Sequence, residues 1–229
     1  MQQNHFYSRA QLDTQLAEDI ANILQDGVEK KGEALLVVSG GSTPLQLFRL
    51  LSQKVIPWQH IKITLADERW VAKEQPDSNE KLVRESLLIN EAEKAQFIPL
   101  KNSSATALEA EPEINKILAM LDTFDVVILG MGADGHTASL FPEAVNLEEG
   151  LDLNTDKHCL AVDPITAPHQ RMSMTLARLL DSQQIIIHIV GKEKRALIEK
   201  AVLLENQKSL PISVLIYQKK TPVTLYWSK

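Results

Sequence analysis

Residues 125–141 read DVVILGMGADGHTASLF, and this stretch indicates both the fold class and the place of the functional site. It begins with an unbroken apolar run, Val126 to Leu129, which is typical of a strand buried on both faces of a sheet. Three glycines follow, with Asp134 and His136 among them. In α/β proteins, ligands bind in loops of this kind at the carboxyl ends of buried strands. A carboxylate close to an imidazole there indicates acid–base chemistry.

The same glycines, at positions 130, 132 and 135, also satisfy the dinucleotide-binding pattern G-x-G-x-x-G. That pattern requires a long helix beginning at its third glycine, and Pro142 would end such a helix within about two turns. Asp134 would also place a negative charge where the pyrophosphate lies. We therefore expect no nicotinamide cofactor, and the sequence indicates no other cofactor.

Composition and charge limit the classes of function. The 229 residues are 44% hydrophobic and 24% charged, as in an ordinary globular protein, and we expect residues 1–229 to form a single domain. A formal net charge of −6 without a basic block argues against nucleic acid as a partner. The N-terminus lacks an apolar signal core, and no run reaches the ~18 apolar residues of a membrane span. We expect a cytoplasmic protein without a membrane partner or an obligate protein partner.

No metal site is expected. Cys159 is the single cysteine, so the sequence predicts neither a disulfide nor a thiolate metal site. Apart from His136, the histidines are scattered without the spacing of metal ligands. His188 lies in an apolar run and is expected to be a hydrogen-bonded histidine of the core.

Helical and strand patterns alternate along the chain. Apolar residues three and four apart predict an amphipathic helix over residues 8–30, ended by Gly32. Strands are predicted at residues 34–38, 61–65, 126–129, 158–162, 171–175, 185–190, 212–216 and 223–227, and further helices at 45–51, 82–88, 105–121, 176–180 and 192–205. Residues 143–156 have no clear periodicity and are either a lid or irregular surface. The alternation predicts an α/β domain with a mainly parallel sheet.

A second loop, Ser39-Gly40-Gly41-Ser42-Thr43-Pro44, follows the strand at 34–38. Thr43 is expected to cap the next helix, with Pro44 as its first residue. Glycines before a helix N-terminus expose backbone N–H groups, and the helix dipole favours an anion there. The loop lacks the Gly-Lys-Ser/Thr of a P-loop, and it is either an anion site or a plain strand-to-helix turn.

Charged residues follow two further strands. Asp67-Glu68-Arg69 comes directly after the strand at 61–65, and Lys192, Lys194 and Arg195 occupy the first turn of the helix after the strand at 185–190. Because parallel strands end at one edge of a sheet, we expect the polar loops to meet there. An anion cradle, an arginine and a carboxylate beside a histidine suit a phosphorylated substrate that undergoes proton transfer or hydrolysis.

Taken together, Ser39–Pro44, Asp67–Arg69 and the block Gly130–Pro142 resemble the glucosamine-6-phosphate isomerase/6-phosphogluconolactonase family, over about residues 34–195. The resemblance implies a Rossmann-like, mainly parallel sheet flanked by helices, similar to glucosamine-6-phosphate deaminase and ribose-5-phosphate isomerase. Deaminases of the superfamily usually carry Asp-Glu-Tyr in place of residues 67–69 and Ile-Ala-Phe-Asn in place of residues 137–140. Both differences favour the lactonase branch.

This resemblance implies metal-free hydrolysis of a small phosphosugar lactone, 6-phospho-D-glucono-1,5-lactone, to 6-phospho-D-gluconate in the oxidative pentose phosphate pathway. It implies His136 as the general base, Asp134 as the residue that orients it or polarises a substrate hydroxyl, and Arg69 as the balance for developing negative charge. The 6-phosphate would be held by the loop and two basic side chains: Gly40, Gly41, Ser42, Thr43, Arg171 and Lys194.

Several alternatives stay open at the level of sequence. Lys192 is an alternative to Lys194 as the lysine that binds phosphate. Asp67 and Glu68 either take part in the reaction or only anchor the loop that carries Arg69. A phosphosugar isomerase or deaminase is the first rival function, and a catalytically silent sugar-phosphate sensor is the second. Neither the oligomeric state nor the preference between the 1,5- and 1,4-lactone can be predicted.

Overall fold

The structure is a computed structural model that describes residues 1–204 and 209–229. Ten strands are found in these residues: β1 (Gln2–Phe6), β2 (Ala34–Val38), β3 (Ile61–Leu65), β4 (Asp67–Arg69), β5 (Gln96–Ile98), β6 (Val126–Leu129), β7 (Cys159–Val162), β8 (Arg171–Met174), β9 (Ile185–Val190) and β10 (Val223–Ser228). The α-helices there are α1 (Arg9–Lys31), α2 (Leu45–Leu51), α3 (Asn79–Ser86), α4 (Ala107–Ala119), α5 (Leu147–Leu151), α6 (Leu176–Leu179), α7 (Lys192–Leu204) and α8 (Ile212–Tyr217).

Seven of the strands form one parallel sheet in the order β1-β10-β9-β6-β2-β3-β5. From β2 the chain adds β3 and β5 on one side, whereas β6, β9 and β10 lie on the other. The direction of winding therefore reverses between β2 and β6, and such a reversal opens a crevice at the carboxyl ends of the strands. The sheet with its flanking helices confirms the predicted fold class.

Burial explains why the central strands and the first helix form. Every residue of β2 and β6 is buried, as expected for strands covered on both faces. On α1, the stripe Leu12, Leu16, Ile20 and Leu24 has no exposed surface. Each such side chain stabilises the fold by roughly 1.5–3 kcal/mol when it is fully buried.

The ends of α1 follow from its capping residues. The Ser8 hydroxyl accepts a hydrogen bond from the backbone N–H of Gln11. Gly32 ends the helix with a left-handed backbone (φ 84°) and donates its N–H to the carbonyl of Val28. This conformation favours glycine, and the predicted helix with its stop is confirmed.

A second sheet, antiparallel and three-stranded, has the order β4-β8-β7. The sequence prediction left Asp67-Glu68-Arg69 as a charged loop, and this was wrong because these residues form β4. One residue, Ala66, separates β4 from β3, and three charged residues carry no strand pattern. Pairing with the distant β8 makes the strand, with Arg69 opposite Arg171.

The predicted strand at residues 212–216 is also wrong, because the chain forms helix α8 there. Its first four residues are all buried, and a short apolar run does not distinguish a buried helix from a buried strand. The N–H of Ile212 donates to the carbonyl of Gly135 at 3.0 Å. Helix α8 therefore supports the loop that carries His136.

Smaller differences concern element ends. Pro44, not Thr43, precedes the first residue of α2, and no side chain caps that helix. The strand β1 was not predicted, and residues 143–156 contain the short helix α5. The predicted helix at 192–205 is observed to residue 204, and residue 205 lies outside the described residues.

Within residues 1–204 and 209–229, no helix combines the length and apolar character that crossing a membrane requires.

Candidate active site

A cleft of about 250 Å³ lies at the carboxyl ends of the central parallel strands. The loops after β2 and β6, together with residues of β4, β9 and α7, form its walls. The sequence-predicted site residues that line it are Gly40, Gly41, Ser42, Thr43, Arg69, His136 and Lys194. Asp134 and Arg171 do not line it, and both contact or neighbour residues that do. The expected meeting of the polar loops at one sheet edge is therefore observed.

The loop after β2 presents backbone donors to the cleft. Gly41 has a left-handed backbone (φ 91°), which favours glycine. Among the described residues, the backbone N–H groups of residues 40–43 have no hydrogen-bond acceptor. A Cβ on Gly40 would lie 1.8 Å from Oδ1 of Asn79, so a larger residue does not fit there. The loop can offer its free N–H groups to an anion.

His136 is held by Asp134 two residues earlier. Nδ1 of His136 lies 2.6 Å from Oδ1 of Asp134, which also accepts the backbone N–H of His136 at 3.1 Å. The imidazole packs against the ring of Phe141, with 4.2 Å between the ring centroids. Since Nδ1 is engaged by the carboxylate, Nε2 is the nitrogen left for a substrate or a water molecule.

The glycines around His136 serve this arrangement and not a pyrophosphate. A Cβ on Gly132 would lie 2.2 Å from Cε1 of His136, so the imidazole occupies space that only glycine leaves. Gly135 has a positive φ of 81°, and a Cβ there would meet the side chain of Leu210 at 2.6 Å. No helix begins at Gly135, which confirms that this part of the dinucleotide pattern is not fulfilled.

The two acidic residues of β4 have different surroundings. Glu68 is buried and accepts the backbone N–H groups of Arg69, Asn79 and Glu80, at 2.7–2.8 Å, so that it caps the start of α3. Burial raises the pKa of Glu68, and these N–H groups oppose that shift. Asp67 lines the cleft and accepts the hydroxyl of Ser139 at 2.6 Å. Glu68 therefore joins β4 to the start of α3 through hydrogen bonds, whereas Asp67 is accessible from the cleft.

Two arginines meet beside the cleft. Arg69 and Arg171 are directly opposite in the β4–β8 ladder, where side chains of a pair share one face. Nη1 of Arg69 donates to the carbonyl of Asp77 at 2.6 Å, and Nη2 of Arg171 donates to that of Pro168 at 2.9 Å. Burial, and then the charge of Arg69, lower the pKa of Arg171. Its guanidinium carbon lies 5.9 Å from the ring centroid of Phe141, which also contacts His136.

The two candidate lysines are separated by their positions on α7. Lys194 lines the cleft, and burial lowers the pKa of its ammonium group. Lys192 is exposed and is not among the lining residues. The geometry therefore favours Lys194 as the lysine that faces a ligand.

His188 is a site residue that sequence reasoning missed. It is buried, as expected, but the predicted hydrogen bond was wrong, because neither ring nitrogen has a hydrogen-bond partner among the described residues, and His188 also lines the cleft. Its Nε2 lies 3.3 Å from Oδ1 of the fully buried Asp13, an ion-pair distance without hydrogen-bond alignment. The one available signal was a lone polar residue near the carboxyl end of an apolar strand. Asn79, which lines the cleft from α3, was missed too, as was Asp13 of α1, which contacts His188 without lining the cleft, because neither belongs to a motif.

No group of three or more His, Cys, Asp or Glu side chains in residues 1–204 and 209–229 is arranged to hold a metal ion. The arrangement instead combines unpaired backbone donors, three basic side chains and a carboxylate–imidazole pair. It can bind an anionic group and transfer a proton within one cleft.

Comparison with known proteins agrees with the motifs. Residues 7–227 match the family model described as glucosamine-6-phosphate isomerases/6-phosphogluconolactonase. A protein of Neisseria meningitidis serogroup A named 6-phosphogluconolactonase is 39% identical over 215 residues, which cover 93% of each chain. A protein of the same name from Mesorhizobium japonicum is 39% identical over 226 residues, which cover 98% of this chain and 94% of the relative.

Solved structures give the same result. The crystal structure of a 6-phosphogluconolactonase from Shewanella baltica OS155 superimposes with a TM-score of 0.97 and 45% identity, and the match covers 100% of this chain and 98% of that one. A monomeric glucosamine-6-phosphate deaminase superimposes with a TM-score of 0.80 at 17% identity, which shows a shared fold alone. The predicted resemblance is therefore confirmed.

Proposed function

Because the chain belongs to the glucosamine-6-phosphate isomerase/6-phosphogluconolactonase family, we propose that it hydrolyses 6-phospho-D-glucono-1,5-lactone to 6-phospho-D-gluconate with His136 as the general base. The relatives described above carry the name of this activity. The observation that carries the proposed mechanism is the 2.6 Å contact between His136 and Asp134, in the same cleft as the free N–H groups of residues 40–43.

In the first step, Nε2 of His136 accepts a proton from a water molecule as the water oxygen attacks the lactone carbonyl carbon. Asp134 supports this step in two ways. It fixes the imidazole with Nδ1 as the protonated nitrogen, and its negative charge stabilises the imidazolium that forms. In the second step the ring C–O bond breaks, and the ring oxygen takes up the proton that His136 holds.

Arg69 is the group that we assign to the developing oxyanion. The attack places negative charge on the former carbonyl oxygen, and Arg69 lines the cleft beside Asp67. A preorganised donor aimed at such a charge typically contributes about 3 kcal/mol to transition-state stabilisation. Glu68 assists indirectly, because its hydrogen bonds fix the backbone of β4 and the start of α3.

The 6-phosphate is assigned to the other part of the cleft. The N–H groups of Gly40, Gly41, Ser42 and Thr43 are unpaired among the described residues and suit phosphate oxygens. Lys194 of α7 supplies a positive charge, and Arg171, which lies opposite Arg69 on β8, supplies a second one. The substrate would compensate both neighbouring arginines, the oxyanion at Arg69 and the phosphate at Arg171, and neither arginine forms an ion pair in the described part of the chain.

We further propose that the reaction is a step of the oxidative pentose phosphate pathway, takes place in the cytoplasm and needs no metal ion. Residues 1–229 would act as a single domain, since residues from Ser39 to Lys194 and from both sheets line one cleft. The alternative within the family is isomerisation or deamination of a phosphosugar. Residues 67–69 and 137–140 differ from the usual deaminase motifs and argue against it.

The test is a stopped assay with freshly generated 6-phosphogluconolactone. We expect 6-phosphogluconate to form well above the no-enzyme baseline, which is needed because the lactone also hydrolyses spontaneously. The same assay after exhaustive chelation addresses the metal-free claim. A rate equal to the baseline, or conversion of a phosphosugar to an isomer or deaminated product, would overturn the proposed function.

A further inference from the structure

Arg9, at the start of α1, holds the loop after β2 from outside the cleft. Its Nη2 donates to the carbonyl of Thr43 at 2.9 Å and lies 3.4 Å from that of Ser42. Arg9 itself is not among the residues that line the cleft. No sequence motif pointed to it, because it lies more than thirty residues before the loop that it contacts.

These contacts bear on the direction of the free N–H groups. All peptide bonds of the described residues are trans, and in a trans peptide the C=O and the N–H point in opposite directions. Because the carbonyl of Ser42 points to Arg9, the N–H of Thr43 in the same peptide points away from it. That N–H has no acceptor in the described part of the chain, and Thr43 lines the cleft.

Arg9 is in turn held by a buried carboxylate. Nε of Arg9 lies 3.4 Å from Oδ2 of Asp13, one turn further along α1. The other carboxylate oxygen of Asp13 lies 3.3 Å from Nε2 of His188, which lines the cleft from β9. The side chain of Asp13 has no exposed surface, whereas that of Arg9 is 43% exposed. The three side chains therefore connect the loop, α1 and β9.

We propose that Arg9, held by Asp13, is a positioning residue for recognition of the substrate's phosphate, an inference that rests on the function proposed above. Nη2 of Arg9 contacts two successive carbonyls while Nε contacts Asp13, and the single ammonium group of a lysine does not reproduce both sets of contacts. The permanent positive charge of Arg9 also lies next to these peptide groups, on the side away from the cleft, and attracts the phosphate dianion. Arg9 thereby selects for a phosphorylated lactone without contacting the reacting atoms.

The experiment compares Arg9→Gln and Arg9→Lys with wild type on two lactones, one phosphorylated and the other the unphosphorylated glucono-1,5-lactone. Arg49→Gln is the matched control, since Arg49 is an exposed arginine on α2, the helix that follows the same loop. For Arg9→Gln we expect the KM for the phosphorylated lactone and the Ki for inorganic phosphate to rise about tenfold, as for loss of hydrogen bonds from a charged donor. We expect kcat to change by less than about twofold and kcat/KM for the unphosphorylated lactone to stay unchanged.

Arg9→Lys should lie between wild type and Arg9→Gln, and Arg49→Gln should match wild type. If Arg9 had a merely structural role, kcat/KM would change by the same factor for both lactones. This result, or an unchanged KM and Ki in Arg9→Gln, would overturn the proposal. Should Arg9→Gln fail to fold, the ratio of the kcat/KM values for the two lactones in Arg9→Lys decides in the same way. Absence of lactonase activity in the wild-type protein would instead contradict the proposed function, so the two failures are distinguishable.

Discussion

Arg69 and Arg171 lie directly opposite each other on β4 and β8, and neither forms an ion pair in residues 1–204 or 209–229. Like charges opposite each other in an antiparallel ladder are destabilising. Burial and then the charge of Arg69 lower the pKa of Arg171, against the opposing effect of nearby carboxylates. Nε of each arginine is buried without a hydrogen-bond partner. We therefore expect the negative charge that compensates this pair to come from the ligand.

The first prediction concerns Arg171→Gln. Removing one of the two charges should leave the unliganded protein as stable as wild type or more stable by up to about 1 kcal/mol. Stabilisation by 6-phosphogluconate, about 2.7 kcal/mol for wild type at about 100 times Kd, should shrink because the ligand binds less tightly. Thermal denaturation with and without ligand measures both effects. A less stable unliganded variant with an undiminished ligand shift would contradict this role for the pair.

The second prediction concerns the base. His136→Asn should lower kcat by about 10²–10⁴-fold, because no group remains to accept the water proton. Binding of 6-phosphogluconate, measured by calorimetry, should persist since His136 is not among the residues proposed to bind the phosphate. His60→Asn is the matched control, because His60 is exposed on a 3-10 helix away from the cleft. Undiminished turnover in His136→Asn would remove this residue from the base role.

The third prediction tests the packing of the imidazole. In Gly132→Ala the new Cβ would lie 2.2 Å from Cε1 of His136 and 2.7 Å from Oδ1 of Asp134, so the geometry of this pair must change. We expect kcat to fall by about 10²-fold, as for a displacement of about 1 Å in catalytic geometry. Gly130→Ala is the comparison in the same loop, because a Cβ there meets nothing within 4 Å. Equal losses of kcat in the two variants would show that ring packing is not the cause.

The fourth prediction concerns pH. Because burial lowers the pKa of Lys194, its ammonium group loses its proton at a lower pH than an ordinary lysine. Below that pKa the positive charge is present and supports phosphate binding, and above it the charge is lost. The Kd for 6-phosphogluconate should therefore rise with pH on the alkaline side in wild type, and less so in Lys194→Arg, which stays charged. Lys192→Arg, at an exposed position, should keep the wild-type profile.

The fifth prediction concerns stability. Glu68→Ala leaves the buried N–H groups of Asn79 and Glu80 without their acceptor, which should cost about 2–4 kcal/mol of unfolding free energy. Glu85→Ala on the same helix should change it by less than about 0.5 kcal/mol, because the Glu85 side chain is 68% exposed. Urea denaturation measures both. Equal stabilities of the two variants would mean that the cap on α3 is not needed.

Features that depend on neighbouring residues could be predicted from the order of amino acids. The contact between Asp134 and His136 spans two positions, and the apolar runs of β2, β6 and β9 were recognisable because burial on both faces leaves no polar position. The carboxyl ends of these strands share one edge in any parallel sheet. For this reason the convergence of the glycine loop, Arg69 and His136 followed from the order of strands and loops.

Contacts between distant segments could not be predicted and are seen only in the folded chain. Arg171 became the partner of Arg69 through the second sheet, Arg9 reached the loop from α1, and Asp13 approached His188. Helix α8, wrongly predicted as a strand, supports Gly135. Periodicity reports which face of a segment is buried, and it carries no information on what lies against that face. Isolated charged residues have no period at all, so their partners are set only by the packing of the whole chain.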